Sequence, residues 1–214
     1  MLKKIPKQTR SEQMVDCILA GATRVLNSVP LAQATTNRIA EVAGVSIGSL
    51  YQYFDCKEAI ALCLLQQHLD VTIAVLRDSR IASRGCRLEE RMRTPFVEIL
   101  RDHRSQKMLH LNLMGLSQRD ELPASRLREG IDRMIDEIAL ALAEERPEAR
   151  PDEIRLCATL RHQSSTLLVH SAIRDPSLES DRVVMDYFDT LSAANMVLLD
   201  RGATSAASRR VPVA

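Results

Sequence analysis

Apolar side chains recur every three or four residues along almost the whole chain, whereas alternation of apolar and polar residues is not sustained. A spacing of three and four places apolar side chains on one face of an α-helix. In the first segment this face comprises Met14, Ile18, Leu19, Ala22, Val25 and Leu26. Glycine and proline cluster between the periodic segments, where they end helices, as in "NSVPLAQA". The pattern predicts an all-α protein.

Two short helices are expected next. The first begins after Thr35, whose hydroxyl can cap the free amides ahead of Ile39 and Ala40. Gly44 fits the left-handed conformation that closes a helix, and Ser46 can cap the following helix. This is the pattern of a helix-turn-helix, whose second helix lies in the DNA major groove. Glycine-turned helix pairs also occur in proteins that bind no DNA, so an ordinary helical hairpin stays an alternative at this point.

The second short helix has an anchoring face and a polar face. Leu50 and Phe54 are four residues apart and can anchor the helix to the core. Gly48 leaves room for a close approach to DNA, and Tyr51 and Tyr53 fall outside the anchoring stripe. Their hydroxyls suit phosphate oxygens, and their rings can lean on a sugar or a thymine methyl group.

The charge distribution favours an anionic partner for the N-terminal part. The 214 residues carry a net charge of +1, but residues 1–57 hold seven basic and four acidic side chains. Lys3, Lys4, Lys7 and Arg10 are expected to form a loose basic arm that follows the DNA backbone, or that only increases solubility. The N-terminus lacks an apolar leader, and charged residues interrupt the apolar runs, which predicts a cytoplasmic protein.

Enzymatic and metal chemistry have little support in the sequence. The five cysteines are scattered and contain no C-x-x-C pair, which indicates neither a disulfide framework nor a zinc site. The chain also has no nucleophile elbow, no H-E-x-x-H and no phosphate-binding glycine loop. We therefore expect no catalysis and no cofactor.

Residues 35–60, "TTNRIAEVAGVSIGSLYQYFDCKEAI", resemble the signature of the tetracycline-repressor (TetR) family of bacterial transcriptional regulators. The residues that agree with the family signature are Ile39-Ala40, Ala43-Gly44-Val45-Ser46, Gly48, Leu50-Tyr51, Tyr53-Phe54 and Lys57-Glu58. The resemblance implies a homodimer of all-helical subunits, each with an N-terminal three-helix DNA-binding head and a C-terminal domain that binds a small molecule and dimerises. The expected divisions are a flexible basic arm (1–10), the helix-turn-helix domain (11–57), the ligand-binding and dimerisation domain (58–201) and a disordered tail (202–214).

Two places depart from the family pattern. Cys56 stands where the family usually has a helix-capping serine, threonine or asparagine, so Asp55 is expected to cap one residue early, with Glu58 reaching back. Val29-Pro30-Leu31 stands where the family often has a glycine and an aromatic residue, which leaves the shape of that loop open.

The resemblance also implies which residues meet DNA. Thr35 or Thr36 is expected at a phosphate, and Arg38 is expected to reach a phosphate or a guanine edge, with a solvated side chain as the alternative. Lys57 is expected to hold a further phosphate. Gln52 can pair with adenine, and Ile47 can cover a thymine methyl group. The complete predicted set is Thr35, Thr36, Arg38, Ser46, Ile47, Gly48, Ser49, Tyr51, Gln52, Tyr53 and Lys57.

The central part of the chain predicts the walls of a ligand cavity. A long helix is expected from Lys57 toward Arg80, followed by a helix kinked near Pro95 and by two further helices before "RPEARP". Flexible methionines adapt to varied apolar molecules, while one Asn or His fixes orientation. The predicted lining is Met92, Phe96, His103, Met108, Leu111, Asn112, Met134 and Ile138, each of which could instead be a core residue.

The last two helices predict a dimer interface, with an intramolecular core as the alternative. Their apolar stripes would form a four-helix bundle across a two-fold axis, and they comprise Leu156, Leu160, Leu167, Ser171, Val184, Tyr187, Leu191, Ala194 and Leu198. The sequence thus predicts a repressor that binds a palindromic operator as a dimer and is released by a small, largely apolar molecule. The alternative is a DNA-binding regulator gated by oxidation of Cys56 or Cys86, or one without small-molecule input.

Overall fold

The protein is described by a computed structural model that covers residues 9–117 and 124–208. All regular structure in those residues is helical, which confirms the predicted fold class. A single 3₁₀ turn, Pro176–Leu178, precedes the last helix. The α-helices are α1 (Thr9–Ser28), α2 (Thr36–Ala43), α3 (Ile47–Tyr53), α4 (Lys57–Ala82), α5 (Leu88–Ser105), α6 (Lys107–Ser117), α7 (Ala124–Glu145), α8 (Pro151–Arg174) and α9 (Asp181–Ser208).

The chain ends differ from their predicted form where the structure describes them. Helix α1 begins at Thr9, so residues 9 and 10 are helical although they were expected in a flexible arm. Lys3, Lys4 and Lys7 lie outside the described residues. Helix α9 continues to Ser208, into the segment 202–214 that was expected to be disordered, and residues 209–214 are again outside the described part.

The chain divides into two compact units. Unit 1 comprises residues 1–71 and 105–129, and therefore includes α1 to α3, the first part of α4, and α6. Unit 2 comprises residues 72–104 and 130–214. The predicted boundary after residue 57 separated the head from all later helices, whereas unit 1 keeps α6 with the head because α6 packs against α1.

Unit 1 buries the apolar stripes that the sequence shows. Ile18, Ile39 and Ile60, from three different helices, are fully buried. Helix α1 packs against α2, and the two backbones come close at Gly21. A Cβ atom added at Gly21 would lie 2.7 Å from the Cβ of Ala43, a separation that real side chains do not adopt. Close packing of α1 on α2 therefore requires a glycine at this position.

Unit 2 has an apolar core formed by α5, α7, α8 and α9. The rings of Phe96 and Phe188 stack there with their centroids 4.0 Å apart. Val184 is fully buried in the same core, so the prediction that it lies on the dimer surface was wrong. The preceding residue, Val183, is exposed instead. The stripe was misassigned because residues one position apart on a helix face different directions.

Charged groups at the edge of this core are paired. Arg80 donates to the carboxylates of Glu137 and Glu144 at 3.1 and 2.8 Å, and Arg91 also donates to Glu144. Burial alone would raise the pKa of Glu144, but the hydrogen bonds and charges of Arg91 and Arg80 outweigh it and lower that pKa. Glu144 therefore stays ionised beside these arginines, and Arg84 lies 3.7 Å from the same carboxylate.

Helix α4 is the one helix in the described residues that is long and apolar enough to cross a membrane, judged by length and composition alone. Its apolar side chains include Ile60, Ala61 and Leu64, which are buried inside the protein. A core helix of a globular protein passes the same test, so this feature is weak support for a membrane span.

Candidate nucleic-acid interface

Helix α2 and the turn after it form as the sequence predicts. The Thr35 side chain caps α2 by accepting a hydrogen bond of 3.1 Å from the backbone N–H of Arg38. Gly44 closes the helix with a φ of 69°, in the left-handed region that favours glycine. The N–H of Val45 then donates to the carbonyl of Ala40 at 3.0 Å. The predicted Thr35 cap and Gly44 turn are confirmed.

Helix α3 starts immediately after the turn and is anchored by its inner face. Ser46 caps it by accepting a hydrogen bond of 3.0 Å from the N–H of Ser49, and the two hydroxyls are 2.8 Å apart. Leu50 and Phe54 are fully buried, as expected for the anchoring pair. Because both anchors lie on one side, the opposite side of α3 is turned outward.

The outward side of α3 presents small, polar and aromatic groups. Ile47 and Tyr51 are 38% and 45% exposed, and Gln52 is also exposed, whereas Tyr53 is only half-exposed. A Cβ added at Gly48 would find its nearest neighbour, the Ser46 hydroxyl oxygen, 3.8 Å away. Gly48 is therefore not required for packing within the described residues, in contrast to Gly21. Its small size matters only if something approaches α3 from outside.

Hydrogen bonds connect several predicted phosphate contacts to one another. The hydroxyl oxygens of Thr36 and Tyr51 are 2.9 Å apart, which links the start of α2 to the middle of α3. Arg38 forms an ion pair of 2.8 Å with Glu41, one turn further along α2. Both members of that pair are largely exposed, so the pair is weak and a phosphate can compete for Arg38.

Lys57 has a structural role that sequence reasoning missed. Its ammonium group donates to the backbone carbonyls of Ala32 and Ala34, at 3.0 and 2.9 Å. Those carbonyls belong to the turn between α1 and α2, so Lys57 stabilises the entry to the helix-turn-helix. An ammonium group has three N–H donors, which leaves one for a phosphate. Its expected contact with a phosphate stays a prediction.

Asn112, on α6, also holds this turn. Its side-chain N–H groups donate to the carbonyls of Leu26 and Val29, at 2.8 and 3.0 Å, and its oxygen accepts from the N–H of Leu31 at 2.8 Å. Both N–H donors and the oxygen of the amide are therefore engaged within unit 1. We expected Asn112 to orient a ligand, but its hydrogen-bonding groups are committed to the backbone of the loop at Val29-Pro30-Leu31.

The other predicted ligand residues occupy buried or half-buried places in the two units. Unit 1 holds Met108 and Leu111, and unit 2 holds Met92, Phe96, His103, Met134 and Ile138. Nδ1 of His103 lies 2.8 Å from the carbonyl oxygen of Ile99, so it donates there. Unit 2 also has an open cavity of about 600 Å³ that none of these residues lines; its walls are Arg84, Gly85, Cys86, Arg87, Arg91, Glu144 and Glu145.

Residues 18–63 match the sequence profile described as bacterial regulatory proteins, tetR family. This match covers α2, α3 and the turn between them. A comparison with curated protein sequences finds no match.

Solved structures of regulators share the fold over most of the chain. A TetR-family transcriptional regulator from Streptomyces coelicolor is 20% identical, with a TM-score of 0.67 over 87% of this chain and 99% of that one. SmeT, the repressor of the Stenotrophomonas maltophilia multidrug efflux pump SmeDEF, is 19% identical, with a TM-score of 0.65 over 84% and 89%. A complex of SmeT with triclosan gives 18% identity and a TM-score of 0.64 over 85% and 90%. The head sequence therefore matches the profile of bacterial regulatory proteins of the tetR family over residues 18–63, and the chain as a whole shares the fold of these solved regulators.

Proposed function

We propose that the protein is a cytoplasmic repressor that binds a palindromic DNA operator as a homodimer and is released by a small, largely apolar effector. The observation that carries this proposal is the outward side of α3, where Ile47, Tyr51 and Gln52 are exposed beside Gly48. A short helix anchored from behind by Leu50 and Phe54 has the form that enters a major groove.

Each exposed group on this surface has a role in DNA recognition. Gln52 recognises an adenine edge and Ile47 covers a thymine methyl group. Thr36 and Tyr51, joined by their hydroxyls, bind phosphate oxygens, and Arg38 adds a charge-assisted contact. Ser46 and Ser49 supply further hydroxyls at the start of α3, and the Thr35 hydroxyl can still donate while it caps α2.

The homodimer is supported by exposed apolar side chains on α8 and α9. Leu167 is 68% exposed and Tyr187 is 56% exposed, and further exposed members are Leu156, Leu191 and Val197. Large apolar side chains left in water at regular intervals along helices mark an interaction surface. A two-fold axis through this surface would pair each α8 and α9 with its copy.

An apolar effector is supported by the composition of the unit 2 core and by the fold. Met92, Phe96 and Ile138 belong to that core, and methionine side chains can rearrange around a ligand. SmeT, which shares the fold at low sequence identity, is a repressor and was solved in complex with triclosan. Thermodynamic linkage makes the two binding events reciprocal. An effector that lowers the affinity for DNA must itself bind more weakly to the DNA-bound protein.

A redox-gated regulator is the second candidate, because Cys56 and Cys86 are exposed. Cys56 directly precedes Lys57, which holds the turn before α2. Peroxide would then weaken DNA binding, and a thiol reductant would restore it. DNA binding that is unchanged by both reagents would eliminate this candidate.

The test of the proposed function uses the full chain and duplex DNA selected from a random pool. The selected sequence is expected to be palindromic, and the complex is expected to contain two protein chains per duplex. Apolar compounds are then added to the complex in a fluorescence anisotropy assay, and at least one should lower DNA affinity. An effector that tightened DNA binding would contradict the repressor mechanism, and selection of no sequence at low salt would contradict DNA recognition.

A further inference from the structure

The unit 2 core contains a buried cation. Arg161 lies on the inner face of α8 and is 4% exposed. Its neighbours on that face are Cys157 and Ala158, which belong to the apolar core. Arginine is almost never this deeply buried unless its charge is paired. The position therefore calls for a partner.

The described residues give Arg161 only incomplete compensation. Its guanidinium carbon lies 5.3 Å from the centroid of the Phe188 ring, a distance that allows a cation–π interaction. Its Nη2 atom is buried and makes no hydrogen bond within the part of the chain that the structure describes. Asp189 influences it electrostatically but is bound by Arg93 at 3.1 Å. Burial lowers the pKa of Arg161 to about 10, although the nearby Cys157 and Asp189 act to raise it.

Such an arrangement is costly in the absence of an anion. A buried guanidinium loses its hydration, and the loss is recovered only by a hydrogen-bonded counter-charge. Arg161 is buried, whereas Leu167, six residues further along α8, is exposed, so the two side chains lie on different faces of the helix. A small anion bound inside unit 2 would supply the negative charge that the described residues do not.

We propose that Arg161 binds the carboxylate of an acidic effector whose apolar body packs against Phe96 and Phe188. This inference rests on the proposed ligand-responsive function and specifies its ligand class. A monocarboxylate balances the single positive charge of Arg161, and its two oxygens match the planar fork of a guanidinium group. A phosphate monoester would bring up to two negative charges against one.

The surrounding side chains suit an apolar body. Phe96 and Phe188 stack and provide a flat wall beside the guanidinium group. Met92 and Met185 are in the same core, and their unbranched side chains can change rotamer to admit a chain or a ring. The neutral thiol of Cys157, whose pKa is raised by burial, adds no competing charge.

The experiment compares carboxylates with alcohols of equal length. Hexanoate, octanoate and decanoate are titrated into the full-length protein by calorimetry, next to hexanol, octanol and decanol. We expect at least one carboxylate to bind about tenfold or more tightly than its alcohol, the gain of a charge-assisted hydrogen bond. Equal affinity within every pair would overturn the inference, and this wild-type comparison does not depend on any variant folding.

Two variants then assign the preference to Arg161. R161M keeps an apolar stem of similar length. In this variant the affinity for each carboxylate should be close to the affinity for the alcohol of equal length. R174M removes an exposed arginine from the same helix and should retain the full preference. A carboxylate preference that survives in R161M would overturn the inference.

DNA affinity is measured separately with the same ligands. Carboxylates that bind through Arg161 without changing DNA affinity would sustain this inference and contradict the proposed release mechanism. Neutral apolar compounds that release DNA, while no carboxylate is preferred over its alcohol, would sustain the release mechanism and contradict the inference.

Discussion

The side-chain oxygen of Asn112 accepts a hydrogen bond of 2.8 Å from the backbone N–H of Leu31, so α6 holds the turn that leads into the helix-turn-helix. The same amide donates to the carbonyls of Leu26 and Val29. One side chain thus supplies hydrogen-bond partners for three backbone groups. These groups lie at the end of α1 and in the turn after it, where a helix provides no partner. Removal of the amide would leave all three without this partner.

Asn112→Ala is expected to lower the free energy of unfolding by about 1–3 kcal/mol, the usual result of leaving buried backbone groups unsatisfied. It should also weaken binding to every DNA sequence alike, because the turn before α2 loosens. Chemical denaturation and anisotropy measure the two effects. Lys107→Ala, an exposed change on the same helix, is the matched control. Equal unfolding free energies for the two variants would show that the three hydrogen bonds contribute nothing.

Gly21→Ala tests the close approach of α1 and α2. The new Cβ would lie 2.7 Å from the Cβ of Ala43 and 2.8 Å from its Cα and N. Backbone must move, so we expect a loss of about 1–3 kcal/mol of stability despite the better helix propensity of alanine. Gly115→Ala is the matched control on α6, because its Cβ would meet nothing within 4 Å. That variant should gain up to about 1 kcal/mol.

His170 makes the protein sensitive to mild acid. Burial, followed by the nearby His103, Arg174 and His162, lowers the pKa of His170 to about 4. In the unfolded chain the same ring takes up a proton near pH 6.5. The unfolded state therefore binds more protons between about pH 6.5 and 4, and stability falls as the pH is lowered through that window.

His170→Gln should reduce this loss, because glutamine does not titrate. Thermal unfolding at pH 7 and pH 5 measures it, and Gln163→Ala, an exposed change on α8, should keep the wild-type pH dependence. A His170→Gln protein that loses as much stability as the wild type between these two pH values would show that His170 is not the group responsible.

Leu167→Glu and Tyr187→Glu test the proposed dimer surface. A carboxylate placed at the centre of an apolar interface is desolvated without a partner, so the dissociation constant of the dimer should rise by at least about tenfold. Light scattering across a dilution series gives the oligomeric state. Leu140→Glu changes another exposed leucine, on α7 and 49% exposed, and should leave the dimer intact. Dimers that persist unchanged in both interface variants would place the contact elsewhere.

Much of the head was predictable because its determinants are local. Thr35, Gly44 and Ser46 act on backbone groups within four residues, and the spacing of Leu50 and Phe54 is a property of one helix. The role of Asn112 was not predictable, since its partner Leu31 is 81 residues away in sequence. Val184 was assigned to the wrong surface because two adjacent apolar residues, Val183 and Val184, leave the buried face undetermined.

Arg161 shows a different limit of sequence reasoning. An arginine within "LCATLRHQSS" has the appearance of a surface residue on an amphipathic helix. Only its burial beside Phe188 distinguishes it from neighbours such as Arg155, which is half-exposed and bound to Asp132 and Asp136. A weak signal was present, since Arg161 follows Cys157 and Ala158 at helical spacing on what is an apolar stripe.

Contact between α3 and base edges through Gln52 is tested by repeating the selection of bound DNA with Gln52→Ala. We expect this variant to lose the preference for one base at two symmetrically related positions of the operator, and to bind the original sequence more weakly by about 1–3 kcal/mol. Tyr51→Phe, which removes only a hydroxyl, should weaken all sequences equally. If Gln52→Ala selected the same operator with the same affinity as the wild type, base recognition by α3 through Gln52 would be contradicted.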